Sequence, residues 1–445
     1  TADTAGFNAA FGYTAGAAIS TGTRNTAVGA AALDAASTGD DNTALGANAM
    51  GATTTASDNT AVGSYALAAN TTGTRNVAVG YAALDAATTA SDNTYVGSGA
   101  GSANTSGDHN TGIGQASMDE LTTGANNTAV GSKSLSGVVT GHNNTAVGYQ
   151  ALLANTTGAQ NVAVGAYALD AATTANYNTA VGYVALSANT TASNNTAVGY
   201  YALAVNTTGD QNVGLGRNAL VANTTGSDNV AVGDRALLVN TTGIRNVAIG
   251  RLTLAANTTA SNNTAVGDAA LFTNTSGTSN VGVGFQALYV NTTASSNTAV
   301  GYQAMVTNTT GANNVAIGKD ALQMNTTGAS NVAVGLEALE ENTTADNNTA
   351  VGYQALTANT TGSSNVAVGY TALDANTTAA NNTAVGTSAL SATTTGEDNT
   401  AVGYGALRDN TTASNNTALG YFALEANTTG EDNVAVGKNA GVAVS

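Results

Sequence analysis

Residues 144–160 read NTAVGYQALLANTTGAQ, and variants of this 17-residue text follow one another along the whole chain. An asparagine stands at every 17th position from Asn8 to Asn433, 26 times without insertion or deletion, and the residue four places after each is glycine. A fixed short period is the mark of a solenoid, because so small a unit cannot bury its own apolar face and must stack on copies of itself. Counted from the anchor Asn, the unit runs Asn, Thr or Val, Ala, Val, Gly, often Tyr, a variable residue, Ala, Leu, a variable residue, Ala, Asn, Thr, Thr, Gly or Ala, then two polar residues. The pattern predicts an all-β chain: one parallel β-solenoid, or β-roll, domain over residues 1–445, made of 26 repeats.

Residues 161–165 (NVAVG) alternate β-branched residues and close on glycine, the pattern of a short strand. The second and fourth positions share a face, as in Val213 with Leu215 or Val247 with Ile249, and that face is expected in the core. The other face, Asn, Ala and Gly, then suits close approach of a neighbouring protomer. The glycine implies φ > 0 or a backbone contact too tight for a Cβ. In the second half of the unit, Ala and Leu favour a helical turn, but strands stack at ~4.8 Å and helices at roughly 8–10 Å. The expectation is therefore an extended arc that points Leu152 inward, with a helical turn as the alternative. Asn-Thr-Thr-Gly and its two polar successors make the return turn. Where the turn ends in Ala, as at Ala175, Ala192, Ala260 or Ala413, the next strand begins Asn-Thr, whereas after Gly158 it begins Asn161-Val162. Two turn conformers are implied. The anchor asparagines should form a side-chain amide ladder, and 26 coils would make a stack on the order of 125 Å long.

Composition narrows the function. The 445 residues include 53 Gly but no Pro, Cys or Trp, only two His, and 8% charged residues, which is little equipment for catalysis. The absence of cysteine removes disulfides and thiolate metal sites. A net charge of −17, from 10 Lys+Arg against 27 Asp+Glu, opposes binding to a phosphate backbone, so no nucleic acid partner is expected. No apolar run approaches the ~20 residues of a membrane helix, so no membrane insertion is expected. The first residues, TADTAGFNAAFGY, lack the basic and apolar regions of a signal peptide; export signals are expected to have been removed or to lie outside the chain. Both ends stop mid-pattern without caps, which makes end-to-end polymerisation an expectation as well.

The strand text at residues 162–165 (VAVG), 247–250 (VAIG) and 315–318 (VAIG) resembles the head repeats of trimeric autotransporter adhesins of the YadA-like group, and related repeats in phage tail-fibre shafts. The resemblance covers essentially the whole chain. It implies a left-handed parallel β-roll and three chains packed side by side at a cell or virion surface. This chain departs from the adhesin pattern in its longer repeat, and it shows no coiled-coil or anchor segment.

Few residues carry chemistry of their own. His109 and His142 lie in the least regular stretch, roughly residues 98–142, where Gly101 and Met118 replace the core Leu; without a Cys or an i,i+4 partner they read as turn residues rather than metal ligands. Asp41, Asp58, Asp92, Asp228, Asp398 and Asp432 precede the anchor Asn and could face calcium, but they lack the nonapeptide of calcium-binding rolls and read as solvated turns. Tyr183, Tyr200, Tyr353, Tyr370, Tyr404 and Tyr421, each after the glycine, read as a supporting aromatic ladder, with a glycan-binding strip as the alternative. Sequons such as Asn155-Thr156-Thr157 sit where a stacked Asn is inaccessible. No catalytic, cofactor-binding or metal residues are predicted. The favoured function is a structural rod of an extracellular fibre or filament, an adhesin-like shaft or head, that associates with itself as a homotrimer or polymer and could meet a cell-surface or glycan receptor. A phage tail-fibre shaft presenting a tip is one alternative. An ice-binding solenoid is another, although adjacent Thr156 and Thr157 should point to opposite faces. A glycan-cleaving enzyme would need an unrepeated carboxylate cluster, and only Asp119-Glu120 stands out.

Overall fold

The computed structural model describes residues 6–442, so residues 1–5 and 443–445 of the expected repeat domain lie outside the described residues. The chain forms two compact units, one up to Thr225 and one from Gly226. Each is a parallel β-solenoid of 17-residue coils. The first unit holds the three-residue strands β1 (Ala9–Phe11) to β13 (Val213–Leu215), and the second holds β14 (Val230–Val232) to β26 (Val434–Val436). Within each unit every strand pairs in parallel with its successor at a shift of 17 residues, as in Val162 opposite Thr179 or Val315 opposite Val332. The strict sequence period is thus the hydrogen-bonding register.

The strand pleat is the reverse of the expectation. The central residue of the strand, Ala in most coils, faces inward and is fully buried, as at Ala163 or Ala316, while the flanking residues, Val162 and Val164 or Val315 and Ile317, lie on the outside and are partly exposed. Each coil is narrow. Leu152, Ala151 and their equivalents enter from the opposite wall and leave room only for a methyl group across from them. The anchor Asn therefore points inward with Ala, and it is buried throughout the regular coils. Its Oδ1 accepts the backbone N–H of the next anchor, as Asn144 does from Asn161 at 3.0 Å, and its Nδ2 donates across the coil to the carbonyl of Gly158 at 2.9 Å. That carbonyl accepts a second amide from Asn155 at 2.9 Å. The expected amide-to-amide ladder runs through the anchor itself in the first unit, from Asn25 to Asn93 and from Asn110 to Asn178 at 3.1–3.2 Å, and a second one, through the other asparagine, runs in the second unit. From Asn240 to Asn376 eight successive Nδ2 groups donate to the Oδ1 one coil earlier, at 2.8–3.2 Å.

The arc after the strand is neither extended nor helical, although Leu152 does point inward as expected. Left-handed φ values recur at alternate residues, such as Gln150 at 55° and Leu152 at 54°, with an i to i+3 bond from Ala151 N–H to Gly148 O and another from Asn155 N–H to Leu152 O. A right-handed helical turn cannot continue through such residues. Alternation instead sends the Gln150 N–H to the preceding coil, at Ser132 O, and the Leu152 N–H to the following one, at Ala168 O. The invariant glycine meets both of its expected reasons at once. Gly165 has φ 134°, and a Cβ there would strike the carbonyl of Gly182 in the next coil. The irregular stretch also has a physical account. Tyr95 takes a central strand position and is fully buried, and its ring fills the space that side chains at Gly101 and Gly112 would need. Its hydroxyl donates to Met118 Sδ at 3.8 Å and accepts from Asn104 Nδ2 at 3.5 Å, while burial raises its pKa.

Candidate binding surfaces

The outward strand residues make the first surface. In each unit two parallel rows, Thr or Val at the second coil position and Val, Ile or Leu at the fourth, run over successive strands without a charged residue. Ile249 is 40% exposed and Leu419 is 47% exposed, more than a core β-branched or Leu side chain would be. Apolar residues on this face follow a pattern that strand propensity alone would have sent to the interior.

The return turn makes the second. Thr156 Oγ1 donates to Thr173 O at 3.0 Å, and the same bond recurs from coil to coil, so this hydroxyl is committed to the stack while Thr157 is exposed. The two turn conformers are present in the second unit. In coils whose turn ends in Gly, as at Thr242, Ser276 and Thr310, the residue before it donates its N–H to the next coil, whereas among the described residues Thr259, Thr293 and Thr344, which precede Ala, form no such backbone bond. Asn155 is buried and hydrogen-bonded, which leaves the sequon amide inaccessible. The acidic turn residues share one position and one conformation, with φ of 57° to 61°, a region that Asp and Asn tolerate better than most residues. Arg24 pairs with Asp41 and Arg75 with Asp92, each at 2.6 Å, and each guanidinium holds its partner's carboxyl below the ordinary range. His109 also occupies this position, with Nε2 3.9 Å from Asp92, whereas His142 is one place earlier, in another coil, and exposed. The two histidines are not brought together. Among the described residues no three His, Asp or Glu side chains converge as a metal-binding group. Asp119 accepts a hydrogen bond from Ser136, and the Glu120 N–H donates to Ser136 O, so that pair is tied to the neighbouring coil.

Aromatic side chains make the third surface. The predicted ladder exists in segments: Tyr183 stacks on Tyr200, Tyr353 on Tyr370 and Tyr404 on Tyr421, with centroids 5.7, 5.1 and 5.4 Å apart. The sequence reading missed Tyr167 and Tyr201, which join Tyr149, Tyr183 and Tyr200 in one cluster. Tyr167 and Tyr201 lie at the variable seventh position, and their signal was their pairing with a sixth-position Tyr one coil earlier. A shallow apolar hollow of about 360 Å³ on the second unit was also missed; Leu238, Val239, Leu252 and Phe272 surround the small Ala255 and Ala256, with Arg235 at its side. Among the described residues no helix is long and apolar enough to cross a membrane. The chain matches no protein-family model, and no curated protein is significantly similar to it.

Proposed function

We propose that this chain is the structural shaft or head of an extracellular fibre, on a cell surface, in a secreted filament or on a virion, and that copies associate laterally as a homotrimer or filament. The observation that carries this reading is the uncharged double row of half-exposed Thr, Val and Ile on the outer strand face of each unit. A repeated apolar surface of that kind invites burial against another copy. The interior supports a stiff element, because each coil bonds to its neighbours through backbone groups and buried amides. Catalysis is no part of the reading, since the chemically capable residues are dispersed among turn positions.

The test places charge on that face without touching the core. Val247→Lys, Val315→Lys and Val332→Lys together should leave the circular dichroism unchanged and convert the assembled species seen in sedimentation velocity to monomers. Electron microscopy of the unmodified chain should show assemblies in cross-section. A wild-type chain that is monomeric at micromolar concentration would overturn the reading.

A further inference from the structure

Aromatic residues after the invariant glycine are scattered over most of the chain, but residues 149–201 hold six tyrosines, and all but the turn residue Tyr177 gather on one face of four successive coils. Tyr149 meets Tyr167 edge-on at 5.5 Å and 85°, and Tyr167 meets Tyr183 at 6.1 Å and 87°. Tyr183 stacks on Tyr200 at 5.7 Å and 17°, and Tyr201 leans against both, at 5.8 and 4.5 Å. Tyr149, Tyr183 and Tyr200 remain 45%, 45% and 52% exposed, so the cluster is a surface and not a core.

The solenoid does not require these rings. Ser132, Ala166, Lys319 and Thr387 occupy the same coil position, and the backbone bond formed there is the same: the Gln150 N–H donates to Ser132 O as the Tyr201 N–H donates to Tyr183 O. Three exposed rings and two half-buried ones, each with a hydroxyl, therefore need a reason other than folding. Amide side chains stand at both ends of the cluster, Gln150 on the first coil and Asn218 on the coil after Tyr200.

We propose that Tyr149, Tyr167, Tyr183, Tyr200 and Tyr201 form a platform for a neutral polysaccharide. Pyranose rings present C–H faces that pack on aromatic rings and equatorial hydroxyls that bond to phenol and amide groups; this combination of apolar area and a few placed polar groups defines such sites. The ring-to-ring step of 5.5–6.1 Å from coil to coil is close to the length of one sugar unit, so an extended chain can meet successive tyrosines. A net charge of −17 disfavours acidic polysaccharides and single-stranded nucleic acid, the other polymers that stack on aromatic strips. This site goes beyond the fibre reading and stands whether or not copies assemble.

The experiment is isothermal titration of the full chain with cellohexaose, chitohexaose, mannohexaose and maltohexaose, with sedimentation run in parallel to record assembly separately. At least one neutral oligosaccharide should bind. Tyr183→Ala with Tyr200→Ala should weaken that binding at least about tenfold, and Tyr353→Ala with Tyr370→Ala should leave it unchanged. Tyr149→Ala, at the end of the cluster, serves if the first pair disturbs folding and should weaken binding in the same direction. Failure of all four sugars to bind, or equal binding by the cluster variants, overturns the platform whatever the assembly data show.

Discussion

Single residues in this solenoid are judged by the coil above and the coil below. Tyr95 is tolerated because Gly101 and Gly112 make room for it, so a substitution that breaks the period is answered within one or two coils. Asp85 and Asp374 show the same dependence in electrostatic form. Both sit at the variable tenth position with one carboxylate oxygen buried and unpartnered, and burial raises the pKa of each. A carboxyl whose pKa is raised by folding holds its proton more tightly in the native state. Its contribution is fully present below the unfolded pKa and is lost as pH rises through the folded value. Asp374→Asn should therefore raise the thermal midpoint at pH 7, by about 1–2 °C for a partly exposed group, and the gain should vanish near about pH 3. Melting curves of both chains across that range provide the check, and an equal gain at both ends would remove the carboxylate as its cause.

At the scale of the element, the strand and the asparagine ladders decide how much could be read in advance. Strand, turn, register and the glycine requirement were legible because each is a periodic local property: Asn161 to Gly165 carries alternation, Gly165 the sterics, and the 17-residue spacing the pairing. The direction of the pleat was not, since Val and Ile outrank Ala as core residues in isolation. The decisive signal was which positions vary. Thr and Val exchange freely at the second position while Ala hardly changes at the third, and only a surface accepts a hydroxyl in place of a methyl so casually. The alternating left-handed arc was hidden for another reason, namely that Leu at φ near +50° runs against propensity and is held by bonds to both neighbouring coils. Of the binding surfaces, the individual tyrosines were visible but their convergence was not, because it joins two different coil positions. The amide ladder makes its own prediction. Asn308 donates to Asn291 and Gly311 and accepts from Asn325, at 2.8–2.9 Å, all of it buried. Asn308→Leu should cost about 1–3 kcal/mol, because its neighbours keep buried amide groups without partners. Urea unfolding at equilibrium would measure it, and a neutral result would mean that the ladder adds nothing beyond shape.

The whole molecule extends this nearest-neighbour logic. If each coil is stabilised only by the coils beside it, stability is a sum of similar interface terms, and the number of coils is a free variable while the length of each is not. Excision of residues 314–330, one full coil from anchor to anchor, should leave a chain with unchanged circular dichroism per residue and a thermal midpoint within about 2–4 °C of the parent. Removal of 16 residues instead, 314–329, should be far more damaging. It would set every later strand one residue out of register, turn the buried Ala row outward and force the Thr and Val row into a space sized for a methyl group. The variant would either lose a large part of its β signal or bulge out the junction at a cost visible in the melting curve. Equal tolerance of the two deletions would show that the coils are not locked to one another through register, and would remove the basis for reading the chain as a stiff element.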